Sequence, residues 1–579
     1  MASPAQTITT LLEPAFAALS EGSDPMLRPS SRPGFDFQVN GSIALAKKLG
    51  RRPQEIATLV TSGVELTEVC DSVEVTPQGF VNLRMDDSFL ASCVSEVAAD
   101  PRFGVETTPT PLTVVVDYSS PNVAKEMHAG ILRTTVIGDC LCLLLEHLGH
   151  RVIRENHVGD WGTQFGMLIE YLLDLGEAEG AHELSVGDLD GFYRRARAAF
   201  EASPEMQERS RGRVVALQSG DPETLRLWRI LVDESVVYFE DVYAKLGVRL
   251  TRADIVGESF YNPTLAQVVA ELDEKGLLVE SDGAKCVFVD GWTSRDGEPL
   301  PLIVQKSDGG YGYAATDLAT LRDRFGRLGA DLAVYVVGSP QAQHFAMCFA
   351  VAVKAGWLPS PERAVHVAFG SVLGADRKMF KSRAGATFKL VDLLDEAVQR
   401  AADAVSARSL ELGEAERASV ARMVGIGAVK YADLSTDRLR DYVFDLDRMV
   451  SFDGNTGPYL QYARVRCLSI FRKAGLDPAG YLGGGVTIHV GHPAERGLAL
   501  GLTGFGAAAS AAVESWSPHK LCAYLYDLAG LYTAFFESCP VLKAPDEETK
   551  NSRLALCALS AAVLGRGLSL LGIESPERM

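Results

Sequence analysis

Hydrophobic and polar positions change period several times over the first part of the chain. Residues 34–40 alternate apolar and polar side chains, as in a half-buried strand, and residues 78–84 do the same. Between them, residues 43–49 place apolar side chains at helical spacing. The pattern therefore predicts an α+β N-terminal domain over residues 1–105.

A second pattern, from residue 112 onwards, is typical of a parallel sheet. Residues 112–116 form a short apolar run rich in β-branched side chains, which suits a strand buried on both faces. A helical pattern follows over 130–148, and a second strand pattern covers 150–154. Strand, helix and strand in this order predict a βαβ unit and hence a doubly wound nucleotide-binding sheet.

The rest of this region contains a helical insertion and further strands. Residues 175–250 are helical and charged in pattern, and we expect them to interrupt the sheet. Four strand patterns follow, which we expect to complete the second half of the sheet: 286–289, 302–305, 332–337 and 366–369. The fold class predicted for residues 106–389 is therefore α/β, with a split doubly wound (Rossmann-type) sheet.

Residues 390–579 have apolar side chains at helical spacing almost throughout. The clearest interruption is the glycine-rich stretch 475–491, which we expect to be a loop between helices. Residues 518–572 then continue the helical pattern. The sequence predicts an all-helical C-terminal domain.

The composition is that of an ordinary globular protein. Of the 579 residues, 47% are hydrophobic and 23% are charged. The ten cysteines include no Cys-x-x-Cys pair, which argues against a zinc site and favours free thiols in a reducing compartment. We find no signal-peptide pattern and no run that approaches the ~18 apolar residues of a membrane span. We therefore expect a cytoplasmic protein with no membrane partner.

The formal net charge of −19 argues against a nucleic-acid partner, because it repels the phosphate backbone. A net charge is a sum over the whole surface, however, and binding depends on local patches. Eight arginines crowd one part of the helical insertion: Arg194, Arg195, Arg197, Arg209, Arg211, Arg213, Arg226 and Arg229. They predict either a basic binding patch or an ordinary solvated helix face, and the sequence does not decide between the two.

The loop after the first strand of the βαβ unit is a candidate phosphate site. A helix opens at Gly130, and the unpaired N–H groups of a helix start attract anions. Gly130 allows a nucleotide to approach the backbone, and His128 could donate a hydrogen bond to phosphate oxygens. The alternative is a capped strand-to-helix loop with an incidental histidine.

A second candidate is the polar loop with Lys378, Lys381 and Ser382, which follows the strand pattern at 366–369. Mobile ammonium groups in such a loop could neutralise a pyrophosphate leaving group. The alternative is a basic surface turn.

Two further clusters place polar side chains at strand or helix ends. Asp160 follows the second strand, where ligands bind in open α/β sheets, but it could equally cap a helix. Tyr313 and Asp317 share a helix face if their segment is helical, and a carboxylate there could take a guanidinium in fork geometry. The alternative for that pair is a helix-capping aspartate and a core tyrosine.

Together, these motifs resemble those of arginyl-tRNA synthetases. They occur in the order Ser-Pro-Asn (120–122), His-x-Gly (128–130), Gly-Asp-Trp-Gly (159–162), Tyr-x3-Asp (313–317), Gln-x2-His (341–344) and Lys-Met-x-Lys-Ser (378–382). Residues 451–462 add a further match, and the final segment looks like the helical anticodon-binding domain of that family. Each motif is weak alone, but the combination is specific and spans nearly the whole chain.

The resemblance implies a class I synthetase, which activates arginine with ATP, releases pyrophosphate and passes the arginine to the 3′ end of its tRNA. Arginine contacts are implied for Ser120, Pro121, Asn122, Ile131, Tyr313, Asp317 and Gln341, with Asp317 paired to the guanidinium. ATP contacts are implied for His128, Gly130, Lys378, Lys381 and Ser382, and the catalytic residues among them are His128, Lys378 and Lys381.

The family also implies the partners and cofactors. Arginine tRNA would meet the N-terminal domain at its elbow, and Tyr459 and Tyr462 near its anticodon. ATP would be a substrate accompanied by Mg²⁺, with no tightly bound cofactor and no metal site of the protein itself. Members of the family commonly need tRNA for the activation step. We expect a monomer that does not bind DNA.

Two positions depart from the family pattern. The signature His-x-Gly-His reads His128, Ala129, Gly130 and Ile131, so the second histidine and its donor are missing. Loss of one such donor commonly costs about 10²–10³ in rate. Phe380 stands where class I enzymes usually carry a small polar residue. Three functions remain open: an arginine–tRNA ligase, a paralogue that activates arginine for a non-tRNA acceptor, and a weakly active or non-catalytic tRNA-binding paralogue.

Overall fold

The N-terminal region is an α+β unit with its own core. The computed structural model of the protein describes residues 3–176, 189–294, 297–374, 377–378, 389–408, 412–483 and 485–579. Its first elements are α1 (Pro4–Leu19), β1 (Leu27–Pro29), β2 (Phe37–Val39), α2 (Gly41–Leu49), α3 (Pro53–Ser62), β3 (Cys70–Val75), β4 (Val81–Met85) and α4 (Asp87–Ala99). The strands form an antiparallel sheet in the order β1-β2-β4-β3. The predicted strands and helix are present, although β4 begins at Val81 because Gly79 closes a turn onto Thr76.

The predicted βαβ unit is also present. It consists of β5 (Thr113–Asp117), α5 (Ala129–His147) and β6 (Arg151–Glu155), and its strands are parallel. Val115, at the centre of β5, is fully buried, as expected for an inner strand of a parallel sheet. The helix α6 (Gln164–Leu175) then leads to the insertion region, whose described part contains three helices: α7 (Leu189–Ala202), α8 (Pro204–Gln218) and α9 (Pro222–Leu246).

Two of the four later strand predictions are wrong about the sheet that the strands join. The elements here are α10 (Glu258–Tyr261), α11 (Leu265–Glu274), β7 (Val279–Ser281), β8 (Ala284–Thr293) and β9 (Pro299–Gln305). The predicted strands 286–289 and 302–305 lie within β8 and β9, which form a separate antiparallel sheet with β7. Only residues 294–298 separate β8 from β9, and this is too short for the crossover that a parallel pair requires.

The other two strand predictions do belong to the parallel sheet. The elements are α12 (Tyr313–Gly326), β10 (Leu332–Tyr335), α13 (Ala342–Lys354) and β11 (Ala364–His366), and the sheet order is β11-β10-β5-β6. The predicted strand 366–369 overlaps β11 only at His366. Val367 and Phe369 are buried although they lie outside β11, and this burial explains the apolar run that suggested a longer strand. Since β10 lies beside β5, the loops after these two strands meet at one edge of the sheet.

In its described residues, the chain from residue 390 is largely helical, as predicted, and it includes one short strand. The elements are β12 (Val372–Leu373), α14 (Leu390–Arg408), α15 (Glu414–Leu434), β13 (Tyr442–Val443), α16 (Leu446–Met449), α17 (Gly457–Ala474), α18 (Pro493–Leu502), α19 (Phe505–Glu514), α20 (His519–Ser538) and α21 (Glu547–Leu570). β12 and β13 pair in parallel and join the end of the α/β region to the helices. In the glycine-rich connection, the described residues contain one short 3-10 turn, Pro478–Tyr481, so the predicted loop is confirmed.

Two segments are long and apolar enough to cross a membrane by length and composition alone, Pro493–Glu514 and Glu547–Leu570. The expectation that no run approaches this length is therefore wrong. The first segment consists of α18 and α19, and 44% of its apolar stretch is buried inside the protein. The second segment is α21, and 72% of its apolar stretch is buried. Leu498 and Leu556, one from each segment, belong to the largest hydrophobic core, so packing within the protein accounts for this apolar composition.

Candidate functional site

The loop between β5 and α5 is held in an uncommon backbone conformation. Ser119 and Ser120 both have positive φ angles, 74° and 50°, which cost about 1–3 kcal/mol each unless the surroundings impose them. The Ser119 hydroxyl lies 2.7 Å from the Tyr243 hydroxyl, and the Ser120 N–H donates to Asn156 at 2.9 Å. Tyr243 also accepts from the Asn156 amide at 2.9 Å. The surrounding side chains therefore fix the backbone of this loop.

The next residues of the loop pair with the Gly-Asp-Trp-Gly segment. The Gly159 N–H donates to the Pro121 carbonyl, and the Val123 N–H donates to the Gly159 carbonyl, both at 3.1 Å. A Cβ on Gly159 would lie 2.3 Å from the Asn122 side-chain oxygen, so a larger residue there would displace that side chain. Asn122 itself is exposed at the sheet edge.

His128 is the N-cap of α5. Its Nδ1 accepts a hydrogen bond of 3.0 Å from the Gly130 N–H, so the proton of the neutral ring lies on Nε2. Partial burial lowers the pKa of His128 from its usual 6.5, which keeps the ring neutral near pH 7. A Cβ on Gly130 would lie 2.7 Å from the His128 ring. The histidine therefore caps the helix, as the structural alternative proposed, and still has an Nε2–H donor beside the helix start.

Ile131 lies on the first turn of α5. Its N–H donates to the His128 carbonyl at 2.9 Å, and its carbonyl accepts from the Thr135 hydroxyl at 2.8 Å. The side chain is partly buried and packs against the main hydrophobic core. The backbone of the signature motif is thus regular, and the departure from the family pattern concerns the side chain alone.

The lysine loop is described only in part. Lys378 is exposed, and its carbonyl accepts from the Gly374 N–H at 2.8 Å in a turn after β12. Lys381, Ser382 and Phe380 lie outside the residues that the structure describes.

The predicted arginine-binding side chains come from the N-terminal turns of α12 and α13. Tyr313 is the first residue of α12 and is 77% exposed. Asp317 lies one turn later, and Gln341 is exposed immediately before α13. The Asp317 carboxylate is joined to α13 by a hydrogen bond of 2.5 Å from Nε2 of His344. The two helix starts therefore meet, and the prediction that Tyr313 packs in a core is excluded.

Asp317, His344 and Cys348 are the one group of metal-type donors that comes close together in the described parts of the chain, with donor atoms within 4.8 Å of one another. Two ligands of one tetrahedral zinc ion are about 3.3 Å apart, given bonds near 2.0–2.1 Å. The 2.5 Å contact between Asp317 and His344 is shorter than this and is that of a direct hydrogen bond. We therefore do not identify these residues as metal ligands.

Glu258 is a second carboxylate that interacts electrostatically with Asp317, and sequence reasoning missed it. Burial raises the pKa of Glu258 to about 7, the nearby His157 ring opposes the shift, and the Asp160 and Asp317 carboxylates add to it. Glu258 is therefore close enough to Asp317 to sense its charge, although it lies on the separate helix α10. No local pattern marks this residue, so only the tertiary structure reveals it.

Asp160 has a structural role. Its carboxylate accepts hydrogen bonds of 2.8 and 2.6 Å from the N–H and the hydroxyl of Ser259, at the start of α10. Burial raises its pKa, and the Ser259 hydrogen bonds oppose that shift. Asp160 thus positions the turn that carries Glu258.

The comparisons with known proteins agree with this geometry. Family models match the chain in three parts: arginyl tRNA synthetase N terminal domain over 5–85, tRNA synthetases class I (R) catalytic domain over 94–446, and DALR anticodon binding domain over 460–579. The chain is 51% identical over 575 residues to the arginine–tRNA ligase of Thermobifida fusca (strain YX), with 99% of each chain covered. It is 48% identical over 557 residues to that of Klebsiella pneumoniae subsp. pneumoniae, with 96% of each covered.

Solved structures show the same relationship. The arginyl-tRNA synthetase of Plasmodium falciparum matches with a TM-score of 0.86 and 29% identity, covering all of both chains. That of Thermus thermophilus matches with a TM-score of 0.82 and 25% identity, covering 99% of this chain and 100% of the other. The chain belongs to the arginyl-tRNA synthetases. The α/β catalytic fold and the helical C-terminal fold expected of this class I family are therefore confirmed.

The two tyrosines expected to face tRNA in this synthetase lie on α17, in different surroundings. Tyr462 is 42% exposed and contacts Phe452 edge-on at 6.3 Å between ring centres. Tyr459 is partly buried against Tyr526, with 5.6 Å between the rings. Of the two, Tyr462 presents more surface to a ligand.

Several arginines of the insertion form ion pairs with nearby glutamates, which neutralise much of the positive charge of this cluster. Glu170 pairs with Arg209 and Arg213, at 3.5 and 2.7 Å. Arg197 pairs with Glu201 at 2.8 Å, and Arg211 with Glu208 at 3.2 Å. These pairs favour the alternative of a solvated helix face over a strongly basic patch.

Proposed function

We propose that the protein is an arginine–tRNA ligase. It activates L-arginine with ATP to arginyl-adenylate and pyrophosphate, and then transfers the arginine to the 3′ end of arginine tRNA. The observation that carries this proposal is the Asp317 carboxylate, held by His344 of α13, at the same sheet edge as the helix start at His128. A carboxylate selects a cationic side chain, the Glu258 carboxyl interacts electrostatically with Asp317, and an exposed helix start binds phosphate.

On the arginine side, Asp317 and Glu258 take the guanidinium, because both are partly buried and carry negative charge when ionised. Tyr313 and Gln341, exposed at two adjoining helix starts, line the path to that pocket. The remaining contacts come from the fixed loop: Ser120, Pro121 and Asn122, with Ile131 as an apolar wall. The α-amino and carboxylate groups of arginine then lie towards α5.

On the ATP side, Gly130 leaves room for the phosphates at the N-terminus of α5. The Nε2–H of His128 donates to the charge that develops when the arginine carboxylate attacks the α-phosphorus. Lys378, with Lys381 and Ser382, neutralises the departing pyrophosphate. Mg²⁺ comes with ATP and shields its phosphates; the described residues offer no separate cage of carboxylates for it.

For tRNA, we propose the division that the sequence predicts: residues 1–105 contact the elbow, 106–389 catalyse with an insertion at 175–250, and 390–579 bind the anticodon. Tyr459 and Tyr462 lie on the anticodon side. The protein acts as a cytoplasmic monomer without a DNA or membrane partner.

Exchange of labelled pyrophosphate into ATP tests the activation step. We expect exchange that depends on L-arginine and on tRNA, and no exchange with L-citrulline, which matches arginine in shape but lacks the positive charge. Exchange that proceeds equally with citrulline would contradict recognition by the two carboxylates.

A further inference from the structure

We propose that His344 is a positioning residue, which holds one oxygen of the Asp317 carboxylate so that the other is presented to the substrate guanidinium. This inference rests on the proposed function and adds a residue to its recognition step. His344 does not itself contact arginine in this account; it acts through Asp317.

The geometry of the pair carries the inference. His344 lies in the first turn of α13, and its Nε2 contacts the Asp317 Oδ2 at 2.5 Å. The side chains are 28% and 18% exposed, so the hydrogen bond is shielded from water but the pocket remains open. The carboxylate torsion of an aspartate is otherwise soft, with broad minima. A donor on one oxygen therefore fixes the plane of the group before the substrate arrives.

The imidazole is itself held in place. Cys348, one helical turn further on, has its sulfur 3.6 Å from the same Nε2, and burial raises the pKa of that thiol well above its usual value. The ring also contacts Phe345 edge-on, with 5.5 Å between ring centres. His344 is thus packed by an uncharged thiol and an aromatic ring, and its carboxylate contact is with Asp317.

The carboxylates of Asp317 and Glu258 therefore have different roles in binding the guanidinium. One oxygen of Asp317 already accepts a hydrogen bond from His344, which leaves the other oxygen as the less engaged acceptor for a guanidinium. The guanidinium uses the remaining oxygen of Asp317 and reaches Glu258, whose charge interacts with Asp317 from α10. Of the titratable groups around the pair, Cys348 has its sulfur 3.6 Å from the His344 Nε2, and Glu258 interacts electrostatically with Asp317, whereas His157 and Asp160 act on Glu258.

Two substitutions of His344 distinguish a role in positioning Asp317 from a role in packing alone. Glutamine places its amide nitrogen close to the position of histidine Nε2 and so keeps the donor, whereas alanine removes it. We expect His344→Ala to raise the calorimetric Kd for L-arginine about tenfold or more, because a charge-assisted hydrogen bond orders the recognising group. We expect His344→Gln to stay within about threefold of the wild type, given the spread of such effects. His344→Asn, which is too short to reach, serves in place of alanine if that variant does not fold.

The matched control is His366→Gln. His366 is also a partly buried imidazole beside Phe345, at 5.1 Å, but its Nε2 bonds to the Val337 carbonyl instead of a carboxylate. Its replacement should leave the Kd for arginine unchanged.

The measurements are titration of the full-length protein with L-arginine and, in parallel, KM for arginine and for ATP in the exchange assay. The proposal predicts that His344→Ala raises KM for arginine and leaves KM for ATP unchanged. It is overturned if His344→Ala binds arginine like the wild type, if His344→Gln is as weak as His344→Ala, or if KM for ATP rises in parallel. A protein that binds arginine in this pattern but charges no tRNA would refute the proposed function and leave the positioning role intact.

Discussion

Arg324 donates a hydrogen bond of 2.7 Å from Nη2 to the Asp117 carboxylate, and both side chains are buried. Its Nε donates a second bond, of 2.6 Å, to Glu155. One guanidinium on α12 thus bridges the ends of β5 and β6. Because α12 also carries Asp317, this ion cluster fixes the helix proposed to recognise arginine against the strands that lead into the loop proposed to bind ATP.

Replacing Arg324 with leucine should destabilise the protein by about 3–5 kcal/mol, because Asp117 and Glu155 would remain buried without a cation. Denaturant unfolding of the full chain measures this change in free energy. Arg327→Leu is the control, since Arg327 lies on the same helix but is 54% exposed and pairs with Asp323; its loss should cost less than about 1 kcal/mol. Equal destabilisation by the two variants would contradict the bridging role.

Asp317→Asn should raise KM for arginine about 10–100-fold, because a hydrogen bond to a charged partner contributes about 1.5–3 kcal/mol. KM for ATP should stay unchanged, since the phosphates bind at α5. The exchange assay gives both constants. Asp323→Asn, on the same helix but paired with Arg327, should alter neither. A parallel rise in both constants for Asp317→Asn would show general disruption instead of lost recognition.

Arginine binding should strengthen as the pH rises through 7. Burial raises the pKa of Glu258 to about 7, so this carboxyl is mostly neutral below that pH and mostly ionised above it. His344 acts in the same direction: its hydrogen bond to Asp317 raises its pKa, and its protonated form neutralises that carboxylate. An ionised carboxylate beside a neutral imidazole attracts a guanidinium more strongly than a protonated carboxyl or one beside an imidazolium, so the Kd falls with pH.

Calorimetry on either side of neutral pH measures this trend. The Kd should fall with pH in the wild type, fall less steeply in Glu258→Gln, and be nearly constant in the double variant Glu258→Gln, His344→Gln. If the Kd rises with pH, or if Glu258→Gln leaves the slope unchanged, the assignment of Glu258 to the pocket is wrong.

Ile131→His should raise the rate of adenylate formation, by up to about 10²-fold. The backbone at this position is a regular first helical turn, bonded to His128, so the new imidazole would supply the donor that isoleucine lacks. Single-turnover measurement of adenylate isolates this step, and Ile131→Val, which adds no donor, is the control. No gain in rate would mean that other groups already supply the missing contact.

Local patterns predict the elements of this fold better than their arrangement. The valine run of β5 and the helical pattern of α5 fix a βαβ unit, because burial on both faces and a 3.6-residue period leave few alternatives. The strands β8 and β9 show equally clear apolar runs, yet they join another sheet. Strand pairing depends on the length of the connection, and the predicted strands 286–289 and 302–305 are twelve residues apart, whereas β8 and β9 extend further and leave only residues 294–298 between them.

For the candidate site, too, the sequence indicates individual residues better than the contacts between them. The resemblance singled out His128 and Asp317, which the structure places at the N-cap of α5 and one turn into α12. It did not reveal Glu258, the contact between Asp317 and His344, or the bridge from Arg324 to Asp117, whose partners are 207 residues apart. These relationships arise from tertiary packing and leave no period or spacing in the sequence.

Charging of purified arginine tRNA with labelled L-arginine in the presence of ATP and Mg²⁺ tests the central claim most directly. The account predicts that the label enters the tRNA in an alkali-labile ester at its 3′ end, and that Asp317→Asn strongly reduces the yield. Arginine-dependent release of pyrophosphate with no label in tRNA, for the wild type and for Ile131→His alike, would contradict it.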